Sequence, residues 1–128
     1  MVLAHPIDAS TLLVFEAMRD DPRLHVRIID PTLRSVVEVL EADALIVSRQ
    51  LRDMADWIGA ARAIGIPVHF YLDDNLPLMR NLRELNGAWD DYEPDTLRAA
   101  LQDLDGVLAS TEALAQSFRE QALHRAVA

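Results

Sequence analysis

Short apolar runs rich in β-branched residues alternate with segments whose apolar residues recur every three or four positions, and this alternation limits the fold more than any other feature. The runs are MVLA (1–4), LHVRIID (24–30), ADALIVS (42–48), IPVHFYL (66–72) and GVLAS (106–110). Continuous apolar runs of this length suit strands covered on both faces, as in a parallel sheet. Between them, Leu33, Val36, Val37 and Leu40 predict a helix behind Pro31, which suits a first helical turn. Leu51, Met54, Ile58 and Ala61 predict a second, which Gly65 ends and Pro67 keeps from continuing. EPDT (93–96) opens another helix, lined by Leu97, Leu101 and Leu104 with Asp95 as its cap, and Leu114 and Phe118 anchor the last. TLLVF (11–15) is strand-like in composition, but its setting between DAS and RDDP reads as a helix. Strand and helix thus repeat about five times. Right-handed crossovers turn such a repeat into an α/β fold: an open, doubly wound parallel sheet of about five strands, Rossmann- or flavodoxin-like, with helices on both faces. With 128 residues the expectation is a single domain spanning 1–128.

Composition removes several kinds of chemistry. A net charge of −9 repels a phosphate backbone, so nucleic acid is not an expected partner. All 12 basic residues are arginine, which excludes Schiff-base lysine chemistry and the Walker lysine. The absence of cysteine excludes disulfides, thiolate metal sites and cysteine nucleophiles. No apolar run approaches the ~20 residues of a membrane span, and no signal sequence opens the chain, so a cytoplasmic protein without a transmembrane segment is expected. The histidines His5, His25, His69 and His124 lack metal-ligand spacing, and His69 reads as a core or edge residue of its strand. No G-x-G-x-x-G or G-x-S-x-G is present. A receiver domain would carry its paired aspartates after the first strand and a lysine after the fifth; here the pair follows the fourth and there is no lysine.

Open α/β sheets bind ligands beyond the carboxyl ends of their strands. Each strand here runs into polar residues: HPIDAS (5–10), Asp30-Pro31, Ser48-Arg49-Gln50, Asp73-Asp74-Asn75 and Ser110-Thr111-Glu112. Carboxylates accept from hydroxyls and a guanidinium grips an anion, so such a rim suits a polyhydroxylated or anionic small molecule. Helix capping accounts for Ser110 and Thr111, with Glu112 complementing the helix dipole. Before Pro77, Asp74 or Asn75 is the expected cap, which leaves Asp73 to be explained; Asp73, Asp74 and Asn75 are read as hydroxyl acceptors that touch a ligand as well as capping, with Arg49 as the anion-binding group. Ser48 is read as a cap, and Arg49 needs an anionic partner, either Asp73 or Asp74 within the protein or a ligand. Trp89 and Tyr92, in the loop NGAWDDYEPD (86–95), are read as packing over a helix end.

Two stretches, ADALIVSRQL…AARAIGIPVHFYLDDNL and LDGVLASTEALAQSFRE, resemble the amino-terminal Rossmann-like domain of two-domain (GT-B fold) glycosyltransferases. The likeness runs over roughly residues 42 to 123. It lies in the D-x-v-i-v-s-R strand at Asp43 to Arg49, the A-r-x-x-G-i-P-v segment at Ala61 to Val68, the D-D-n turn at Asp73 to Leu76, and the S-T-e-x-L element within Asp105 to Leu114. It implies the acceptor-side domain of a glycosyltransferase-like protein that moves a sugar from a nucleotide-sugar to a carbohydrate-type acceptor, either the first half of a longer chain or a stand-alone relative, and inactive in transfer without a donor-binding domain. No cofactor is expected in this domain, and the nucleotide-sugar donor belongs on a carboxyl-terminal donor-binding domain. No metal is expected, because such enzymes generally do without one. The glycine-rich loop usual after the first strand is replaced by HPIDAS, within which Asp8 is a candidate general base. Two other readings stay open: a non-catalytic flavodoxin-like small-molecule module, and an interaction domain forming a homodimer through an edge strand or apolar helix face.

Overall fold

A computed structural model describes residues 1–75 and 93–128. Five strands are present: β1 (Val2–Leu3), β2 (Ile28–Ile29), β3 (Leu45–Ser48), β4 (Val68–Leu72) and β5 (Gly106–Ala109). They form an all-parallel sheet in the order β2-β1-β3-β4-β5. Val2 pairs with both Ile28 and Ile46, and Leu3 with both Ile29 and Val47, so β1 lies between β2 and β3 in register with each. This is the flavodoxin-like strand order, and it reverses direction between β1 and β3. Two compact units divide the chain at β4: Met1–His69 and Phe70–Ala128.

In the first unit the core is Val2, Leu3, Phe15, Leu45, Val47, Met54, Trp57, Ala61 and Val68. The helix α1 (Ala9–Ala17) leaves β1, and Asp8 caps it by accepting from the Thr11 amide. It buries Thr11 and Phe15, while Leu12 and Leu13 face outward. A threonine inside and leucines outside defeat any periodicity argument, which is why composition there was ambiguous. The helix α2 (Ala55–Ala63) buries Trp57 and Ala61 below Met54. Gly65, with φ of 79°, follows it, as its sequence position requires.

The predicted helix behind Pro31 is not α-helical. Residues Pro31–Leu33 and Val36–Glu41 form two 3-10 segments, separated by Arg34 in an extended conformation. Asp30 caps the first through the Thr32 amide and Ser35 caps the second through the Val37 amide. Arg34 and Ser35 are both extended, so the first turn does not propagate, and the Ser35 side chain opens a new one. Of the predicted stripe, Leu33, Val37 and Leu40 are exposed, and the residue that points inward is Val39. The second segment packs against α2.

In the second unit, α3 (Pro94–Leu101) and α4 (Glu112–Glu120) flank β5. Leu97, Leu101, Leu104, Val107, Ala115, Phe118 and Leu123 are its buried members. The cap of α3 is Glu93 rather than Asp95: its carboxylate accepts from the amides of Asp95 and Thr96. Pro94 fixes the first helical position, so the residue before it takes the capping role and Asp95 falls inside the first turn. Past α4 the chain returns beside β5, where Val107 donates to Ala126 O, Ala128 to Val107 O and Ala109 to Ala128 O. Among the described residues, no helix is long and apolar enough to cross a membrane.

Candidate functional site

The strand order reverses between β1 and β3, and the carboxyl ends of strands at such a switch point are where open sheets of this order hold ligands. Three side-chain pairs lie at this end of the first unit. The buried hydroxyls of Thr11 and Ser48 meet at 3.0 Å, joining the first turn of α1 to the end of β3. Arg49 Nη1 lies 3.1 Å from Asp8 Oδ2, while Asp8 Oδ1 accepts from the Thr11 amide at 2.8 Å. His5 Nδ1 is 3.0 Å and 3.2 Å from the two oxygens of Asp30.

Arg49 holds an unusual backbone. Its φ is 64°, and the Gln50 amide donates to Ser48 O at 2.8 Å, closing a tight three-residue turn around it. A positive-φ turn of this kind is rare for a residue with a side chain and costs on the order of 1–3 kcal/mol. Asp53, four residues on, also has positive φ, at 63°. Glycine would relieve the turn at Arg49, so the arginine side chain is the reason to look for a role there.

Asp30 is held below the ordinary carboxylate range, first by the Thr32 hydroxyl at 2.7 Å and next by His5. An ionised carboxylate only accepts, so His5 Nδ1 carries the donated hydrogen and, in the neutral ring, Nε2 carries the lone pair. A carboxylate-oriented imidazole with its second nitrogen open to a proton is the arrangement used in general base catalysis.

Of the predicted residues, Asp8, Ser48, Arg49 and Gln50 therefore come together at one rim. Ser48 does not cap a helix: α2 begins at Ala55, and the Ser48 hydroxyl is bonded to Thr11. The described ion-pair partner of Arg49 is Asp8. In the second unit, Ser110 Oγ donates to Asp73 O at 3.2 Å, Thr111 caps α4 through the Leu114 amide, and Glu112 pairs with Arg119 at 2.7 Å. Asn75 Nδ2 donates to Ser117 Oγ at 2.8 Å, and Gln121 Nε2 donates to the same hydroxyl at 3.0 Å. Asp74 is exposed beside them. The helix start expected around Pro77, together with Trp89 and Tyr92, lies outside the described residues. His69 sits half-buried in β4, with a buried Nδ1 that has no hydrogen-bond partner among the described residues.

Among the described residues, no group of three or more histidines and carboxylates is placed to hold a metal ion. Sequence reasoning put His5, within HPIDAS, and Asp30 on the polar rim without pairing them, and read Thr11 only as part of a helix. Their signal was positional: each lies within a few residues of the carboxyl end of β1 or β2. In comparisons with protein-family models, curated proteins and solved structures, nothing matched this chain.

Proposed function

We propose that the chain is the acceptor-side domain of a glycosyltransferase-like protein, and that the polar rim at the ends of β1 and β3 receives a carbohydrate-type acceptor. The observation that carries this reading is the meeting of Asp8, Thr11, Ser48 and Arg49 at the topological switch point. The motif resemblance supports it from a second direction, because its D-x-v-i-v-s-R element occupies β3 and ends in Ser48-Arg49. Carboxylate acceptors beside a guanidinium donor suit the hydroxyls of a sugar.

Transfer also needs an activated donor. The resemblance assigns the nucleotide-sugar to a separate carboxyl-terminal domain, so the present chain is read as the binding half. Within it, both oxygens of Asp8 are engaged, by the Thr11 amide and by Arg49. His5, oriented by Asp30, is the better placed group to take a proton from an acceptor hydroxyl.

Titrating isotope-labelled protein with mono- and disaccharides, followed by amide chemical shifts, tests the reading. Saturable shifts at residues 5–8 and 48–50, weakened in Arg49→Gln, are expected. If every sugar leaves those amides unmoved, or acts only at the amino-terminal ends of the strands, the reading is overturned.

A further inference from the structure

We propose that the switch-point site selects an anionic polyol, a sugar acid or sugar phosphate, whose negative group takes Arg49 away from Asp8. The proposal rests on the carbohydrate reading above and narrows it to one ligand class.

The geometry of Asp8 is the starting point. Its two oxygens have separate tasks: Oδ1 accepts from the Thr11 amide at 2.8 Å and Oδ2 faces Arg49 at 3.1 Å. Moving the guanidinium off Oδ2 therefore leaves the α1 cap in place. The side chains of Arg49 and Asp8 are 21% and 36% exposed, so the exchange needs no opening of the core. A partly exposed pair is also weakly held, which lets an incoming oxyanion compete for it. Carboxylate and phosphate both match the planar fork of a guanidinium. Once freed, Oδ2 is an acceptor beside the captured anion, suited to a hydroxyl on the neighbouring carbon. The two groups of the resting pair thus read the two features of one ligand.

Charge sharpens the point. A chain of net charge −9 repels anions over most of its surface, so an anion held at this rim needs a dedicated cation. Arg49 is kept there in a turn that any residue other than glycine resists. Across the turn, the Thr11–Ser48 hydrogen bond pins the end of β3 to α1 and fixes where the guanidinium starts.

The test is calorimetry on the full chain with matched ligands: glucose, glucuronate, glucose 6-phosphate, acetate and inorganic phosphate. Binding of the charged sugars about tenfold or more tighter than glucose is expected, with that preference lost in Arg49→Gln. Glucuronate against glucose 6-phosphate separates carboxylate from phosphate as the preferred anion. Asp8→Asn keeps an oxygen for the cap and removes the competing charge. It should tighten inorganic phosphate by about two- to fivefold, a gain that a merely structural Asp8 would not give. Equal binding of glucose and its charged relatives overturns the anionic selection and leaves the carbohydrate reading standing. Weaker or unchanged phosphate binding in a folded Asp8→Asn overturns the exchange. Failure of all five ligands to bind overturns both readings.

Discussion

At the carboxyl ends of β1 and β3, side chains bond to side chains: Asp8 to Arg49, Thr11 to Ser48, His5 to Asp30. In the second unit, at the ends of β4 and β5, the same residue types serve backbone and helix ends. Ser110 donates to the Asp73 carbonyl, Thr111 caps α4, and Asn75 and Gln121 converge on Ser117 of that helix. Polar residues after a strand therefore do not by themselves mark a ligand site. In the second unit, local hydrogen bonding explains why Ser110, Thr111 and Asn75 are polar. In the first, it does not explain a guanidinium held at a φ of 64°.

The largest effect that tests this contrast lies in the buried hydroxyl pair. Thr11→Val or Ser48→Ala alone strands the other hydroxyl in the core and should cost about 1–3 kcal/mol in denaturant unfolding. The double variant should recover much of that, because neither polar atom then remains; strictly additive losses would show that the pair is not coupled. Next comes the cap in the second unit. Thr111→Ala should lower stability by about 1 kcal/mol and leave any ligand affinity at the first rim unchanged. A change in sugar binding in that variant would break the division of labour drawn here.

A third effect appears only in acid. The unfolded chain binds a proton at Asp30 more readily than the folded chain does, because the folded carboxyl is held low. The stability Asp30 contributes is fully present above about pH 4 and is lost as pH falls through its lowered folded value. Thermal melts from neutral to strongly acid pH should show a smaller loss for Asp30→Asn than for wild type. Parallel curves would mean that this carboxylate does not hold the rim. The smallest stability change is expected from Arg49→Gly. Relief of the strained turn, about 1 kcal/mol or more, offsets a partly exposed ion pair worth up to about 1 kcal/mol. Near-wild-type unfolding with loss of charged-sugar binding would mark Arg49 as kept for binding; a large destabilisation would assign it to the fold.

The strands were legible because burial on both faces leaves an apolar run with little ambiguity: ADALIVS (42–48) and IPVHFYL (66–72) contain β3 and β4 and end where those strands end. The stripe on α2 was legible for a related reason, although Trp57 was missing from it. Residues 31–41 misled because apolar spacing carries no information about local caps: the turn opened by Asp30 ends at extended Arg34, and Ser35 opens a separate one. At the site, residue types after β3 were visible but their partners were not. Ser48 looks like a cap in sequence, and only the strand order brings it to Thr11. The sign of a backbone angle at Arg49 leaves no trace in an arginine codon. His5 and Asp30 were each visible as polar residues after a strand, and pairing β1 with β2 makes them a dyad.

The return of residues 126–128 alongside β5 has a bearing on how this protein behaves in a crowded solution. A parallel sheet ends in strands whose outward amides and carbonyls invite another chain, and that invitation is a route to aggregation. Here the tail occupies Val107 and Ala109 first. An intruding strand must peel it away before docking, so the molecule carries its own competitor against misassembly on that side.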